Sequence, residues 1–151
     1  MRIARASAEL AASPGSVLEM FWDMNLWREL WDPIERVEIT YQDPYQQEFV
    51  MLVERDGCLE TVRTVRYRRG RAIEFFSPDP PPTMRWHTGW WTFEPTAQGG
   101  TRVTAIRHYE LPGTHPQPES FHDSFVARLQ AILDRFTSAA ATATPLPLVL
   151  P

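Results

Sequence analysis

Toward its C-terminal end the chain carries "PESFHDSFVARLQAILDRF" (118–136), in which Phe121, Phe125, Leu129, Ile132 and Phe136 recur at spacings of 4, 4, 3 and 4. That spacing draws one apolar stripe down a long helix. A stripe of this length must be buried against an apolar surface of matching extent. The preceding sequence supplies one. From Glu35 to Leu111 it breaks into strand-length segments between the turn signals "QDPY" (42–45), "RDG" (55–57), "RRG" (68–70), "SPDPPP" (77–82) and "TAQGG" (96–100). Short turns join antiparallel neighbours, so six strands are expected here.

The first 34 residues complete the order. Residues 2–10 set Ile3, Arg5 and Ser7 against Arg2, Ala4, Ala6 and Ala8, the texture of a modest edge strand. In "ASPGSVLEMFWDM" Ser13 can cap a helix, Pro14 suits its first turn, and Val17, Leu18, Phe21 and Trp22 follow at helical spacing. "LWRELWDP" predicts a second short helix with Trp27, Leu30 and Trp31 on one side, stopped by Pro33. The fold expected is α+β: a curved antiparallel sheet of seven strands wrapped around the long C-terminal helix, with two short helices between strands 1 and 2. The space between sheet and helix is a natural pocket. One domain is expected over 1–138. The segment 139–151, with Pro145, Pro147 and Pro151, is read as an extended proline-rich tail that could dock on a second subunit to make a homodimer.

Composition narrows the function. The 151 residues suit one domain with a real core, and six Trp, eight Phe and four Tyr are enough to build that core or to line a pocket. A net charge of −4 argues against a dedicated nucleic-acid binder. Cys58 stands alone, which excludes an intramolecular disulfide and fits a reducing cytoplasm. The N-terminus is too polar for a signal peptide, and no run approaches the roughly 18 apolar residues of a membrane span, so a cytoplasmic protein is expected. The four histidines share no metal-ligand spacing and no glycine-rich phosphate loop is present, so neither metal nor cofactor is expected.

The stretch "ETVRTVRYRRG" (60–70) concentrates four arginines in one strand. Alternation places Arg66 on a face with Glu60, Val62, Thr64 and Arg68, and Arg63 on the other with Thr61, Val65 and Tyr67. Arg68 and Arg69, next to the turn, are read as solvated.

The order of elements, together with "SPGSVLEMFWD", "LWRELWD" and "GWWTFEPTAQGGTRVTAIRHYEL", resembles the START-like (helix-grip, SRPBCC) superfamily, and within it the bacterial polyketide cyclase/aromatase proteins, over about residues 5 to 136. The resemblance implies that Arg66 is the cavity arginine that donates a proton or meets an oxyanion during ring closure, and that Trp27 lines the pocket. It turns two further faces inward: His87, Gly89, Trp91 and Phe93 on one strand, and Val103, Ala105, Arg107 and Tyr109 on the next. The cavity so implied holds Arg66, Arg107, Glu60, His87, Tyr109 and Thr64 within walls of Trp27, Phe75, Trp91, Phe93, Phe121 and Phe125. A few polar groups in an aromatic box describe a small-molecule site.

Arginine stays charged and offers a planar donor fork suited to an enolate. His87, Tyr109 or a Glu60 of raised pKa could move protons. Plainer readings stand beside these. Glu60 could pair with Arg66 or face solvent, Arg107 could pair with a carboxylate across the sheet, and His87 could be a satisfied structural histidine. The function expected is ring closure or aromatisation of an oxygenated hydrophobic molecule, without cofactor and with delivery by an acyl carrier protein as one route. The alternatives are a non-catalytic carrier of a lipid-like or polyketide ligand, and an interaction module whose cavity would be small and plugged.

Overall fold

The computed structural model describes all residues except Asp56, Pro82 and 144–151. The elements run β1 (Arg2–Leu10), α1 (Pro14–Trp22), α2 (Met24–Leu30), β2 (Ile34–Gln42), β3 (Gln46–Arg55), β4 (Cys58–Arg69), β5 (Ala72–Asp79), β6 (Trp86–Pro95), β7 (Thr101–Glu110) and α3 (Pro118–Ala143). The seven strands form one antiparallel sheet in the order β1-β7-β6-β5-β4-β3-β2, so β1 is an edge, as its texture suggested. Register shifts in the β2–β3 and β4–β5 pairs mark bulges, which bend and twist strands and so help the sheet curl around α3.

Local chemistry accounts for the helices. The Ser13 hydroxyl accepts the Ser16 backbone N–H at 3.4 Å with Pro14 opening α1, and the Asp23 carboxylate accepts the N–H groups of Asn25 (2.9 Å) and Leu26 (3.4 Å) to start α2. Helix α3 begins at Pro118 and buries Phe125, Leu129, Ile132, Leu133 and Phe136. It packs chiefly on β1, whose inward Ala4 and Ala6 leave room for a close approach.

Two boundaries differ from expectation. Helix α3 continues to Ala143, beyond the limit set at 138, because "SAAATA" is rich in alanine and Ala140 extends the buried stripe. The remainder of the expected tail, 144–151, lies outside the described residues. Strand β5 runs on through Ser77, Pro78 and Asp79, where the sequence "SPDPPP" predicts a turn. The β4–β5 register shift falls opposite this stretch, and a proline is tolerated at a bulge because its missing N–H is not needed there.

Candidate functional site

A cavity of about 340 Å³ lies between the concave face of the sheet, α2 and α3. It falls within the range of small-molecule sites and is not the plugged interior of an interaction module. Trp27, Thr64, Arg66, Phe75, His87, Trp91 and Arg107, all expected at the site, line it.

The sheet register explains how the polar groups meet. Gln47 pairs with Arg66, Arg66 with Phe75, Phe75 with Gly89, and Gly89 with Arg107, one row running across five strands. The two arginines therefore flank Phe75. A Cβ on Gly89 would lie 2.2 Å from the Ile106 carbonyl oxygen and 3.0 Å from Arg107 Cδ. This glycine is the gap across which the Arg107 side chain lies.

Arg66 is 3 % exposed and makes four hydrogen bonds. Its Nε and NH2 donate to Gln47 Oε1 (3.0 and 2.5 Å), its NH1 to the Phe21 carbonyl (2.8 Å) and its NH2 to the Trp22 carbonyl (2.8 Å). Those carbonyls end α1, where a cation also meets the negative end of the helix dipole. The Trp27 indole donates to the same Phe21 carbonyl (2.8 Å), and the Gln47 amide to that of Trp22 (3.2 Å). Burial lowers the Arg66 pKa to about 9, which leaves it charged at neutral pH.

Arg107 is 5 % exposed and differently engaged. Its NH1 donates to the Ile106 carbonyl (2.9 Å) and, more weakly, to that of Trp90 (3.3 Å). Its charge lies 4.3 Å from the Trp91 ring centre and 4.5 Å from that of Phe75. Nε and NH2 have no acceptor among the described residues. Burial and the nearby Arg66 lower its pKa to about 9. Among the described residues no carboxylate pairs with it across the sheet.

His87 faces the same space, with its ring edge-on to Phe75 (5.1 Å) and Phe125 (5.7 Å). Part of the residue is accessible, but both ring nitrogens are shielded and have no hydrogen-bond partner among the described residues. Burial first, then Arg107, Arg55 and Arg128, lower its pKa to about 3, so it is uncharged at neutral pH. It is not a satisfied structural histidine.

Five expected residues stand off the cavity. Glu60 pairs with Arg55 at 3.5 Å rather than with Arg66, whose fork is filled by carbonyls and Gln47. The Tyr109 hydroxyl shares a 2.6 Å hydrogen bond with His122 Nδ1 on α3, and Phe121 packs over Tyr109 at 5.8 Å between ring centres. Phe93 is core, packed on Phe21, and Phe125 sits behind His87. Elsewhere on β4, Arg63 pairs with Glu48 (3.7 Å) and Arg69 is exposed. Arg68 is not simply solvated: it is ion-paired with Glu19 of α1.

Several lining residues went unread in the sequence, notably Trp31, Phe49, Met51, Ser77 and Arg128. Arg128 had a signal. It lies three residues after Phe125 and four before Ile132, at the border of the helical stripe. Phe49 and Met51 could be found only once β3 was paired with Thr64 and Val62. Among the described residues no cluster of His, Cys, Asp and Glu could hold a metal ion, and no helix is long and apolar enough to cross a membrane.

A family model described as polyketide cyclase/dehydrase and lipid transport matches residues 1–143. Among solved structures, the Zhui aromatase/cyclase from Streptomyces sp. R1128 superposes with a TM-score of 0.84 at 16 % identity, covering 99 % of each chain. A START superfamily protein from Mycobacterium smegmatis gives 0.81 at 14 % identity over 94 % of this chain and 99 % of that one. The di-domain aromatase/cyclase StfQ of the steffimycin biosynthetic pathway gives 0.82 at 20 % identity, with 93 % of this chain covering 50 % of that one. At such identities the likeness is one of fold, here the START-like helix-grip fold. No curated protein sequence matches the chain.

Proposed function

Since the chain belongs to the polyketide cyclase/dehydrase and lipid transport family, we propose that its cavity takes a hydrophobic, oxygen-bearing small molecule and closes or dehydrates a ring of it by cofactor-free acid–base catalysis. The observation that carries this reading is one apolar cavity holding both an uncharged His87 with unpartnered nitrogens and an Arg107 with uncommitted donors.

In ring closure a carbon flanked by carbonyls loses a proton, the enolate carbon attacks a second carbonyl, and the resulting alkoxide takes a proton. Dehydration then removes one more C–H proton and the hydroxyl as water. Neither step needs an oxidant or reductant. Arg107 would sit at the developing oxyanion, where fixed donors away from water act most strongly. His87 would accept the C–H proton and return it to the alkoxide. Its basicity is held down by burial and in part by Arg107, and an enolate between them would offset that repulsion. Arg66 serves as a positioning residue, since its bonds hold the end of α1 against β4 and β3.

A second reading is a carrier that binds without turnover. It is favoured by the engagement of Tyr109 and Glu60 elsewhere, which leaves His87 as the candidate proton-transfer group among the described residues of the lining. A synthetic poly-β-ketone thioester, followed by absorbance against a protein-free control, separates the two. Catalysis predicts faster ring formation that falls about 100-fold or more in His87→Phe while the thioester still binds. Tight binding with no acceleration would leave the carrier. Presenting the same thioester on an acyl carrier protein tests the delivery route.

A further inference from the structure

We propose that the ligand is held in this cavity as an anion whose charge is shared by two coplanar oxygens, a carboxylate or an ionised 1,3-dicarbonyl, seated on the Nε/NH2 edge of Arg107. This rests on the reading that the cavity takes a small molecule and names its chemical class.

Three observations lead there. Among the described residues the lining has four arginines, Arg66, Arg107, Arg128 and the Glu60-paired Arg55, against one acid, the exposed Glu54, in a chain whose net charge is −4. Next, the two buried arginines are balanced differently. Arg66 has two helix-terminal carbonyls and Gln47, whereas Arg107 has two aromatic faces and backbone carbonyls at a single nitrogen. Arg107 thus carries a largely buried charge with two uncommitted donors, which an anion would pair. Last, the free edge carries two parallel N–H groups, a geometry matched by two coplanar oxygens sharing one charge. Gly89 is the space that lets the Arg107 side chain lie across the sheet.

The test uses three probes in calorimetry: 2-naphthoate, its neutral methyl ester, and the 1,3-diketone 2-acetyl-1-tetralone. The wild-type protein is expected to bind 2-naphthoate at least about tenfold more tightly than the ester, as a charge-assisted bidentate contact requires. That preference should shrink to about twofold in Arg107→Met, with Arg107→Lys between them. The diketone reports the source. Appearance of its enolate absorption band on binding at neutral pH, lost in Arg107→Met, points to an ionised 1,3-dicarbonyl. Binding of the diketone only in its neutral form beside tight 2-naphthoate points to a carboxylate. If the ester binds as well as 2-naphthoate and the diketone stays neutral, the inference is wrong and the cavity reading survives. If none of the three binds, both fall. The comparison of acid with ester needs no variant, so misfolding of Arg107→Met cannot hide the answer.

Discussion

Arg66 and Arg107 lie in one row of the sheet on either side of Phe75, and their hydrogen bonds separate their roles. Removing Arg66 takes one donor from each of the Phe21 and Trp22 carbonyls at the end of α1, which keep those of Trp27 and Gln47, and leaves the Gln47 amide oxygen without its donor. Arg66→Ala should therefore cost about 2 kcal/mol or more in urea denaturation, since hydrogen bonds to a charged group are worth about 1.5–3 kcal/mol and the Gln47 oxygen is left unpaired. His87 makes a separate prediction about acid. Its folded pKa, about 3, lies below the ordinary histidine value of about 6.5, so only the unfolded chain takes up this proton in between. The stability it provides is whole above about pH 6.5 and drains away as pH falls toward about 3. Denaturation midpoints measured from pH 7 to pH 4 should therefore fall less steeply in His87→Phe than in the wild type. Equal slopes would mean that the histidine is not held neutral.

Among the elements, β6 has the tightest constraint, because a Cβ on Gly89 would meet both the Ile106 carbonyl and the Arg107 side chain. Gly89→Ala should destabilise by about 1–3 kcal/mol through overpacking and also weaken 2-naphthoate binding. Normal stability and binding would show that the strands can part there at no cost. Element order, both short helices and the stripe of α3 were legible because periodicity and capping are local. Strand parity sorted Arg63 from Arg66 for the same reason. The state of the Arg66 fork was not legible, because its acceptors Phe21 and Trp22 lie 45 and 44 residues away and become neighbours only through the packing of α1 on the sheet. The surroundings of Glu60 and Tyr109 were not legible for a related reason. Parity gives the face of a sheet but not the position along it, and these two residues sit beyond the cavity beside Arg55 and His122.

For the whole molecule, the cavity is space that the fold does not require. The core continues around it through Phe21, on which Phe93 and Phe136 both pack. Val62 is buried and lines the cavity, so Val62→Phe should fill part of the apolar space, hold or raise the melting temperature and abolish 2-naphthoate binding. A variant that loses stability but still binds would show that the space is already shaped by strain. Three of the six tryptophans, Trp27, Trp31 and Trp91, line this cavity. The indole emission of the unlabelled protein is therefore an internal gauge of occupancy: a ligand entering changes the surroundings of half of the chromophores at once, with Trp86 and Trp90 elsewhere on the sheet as the steady background.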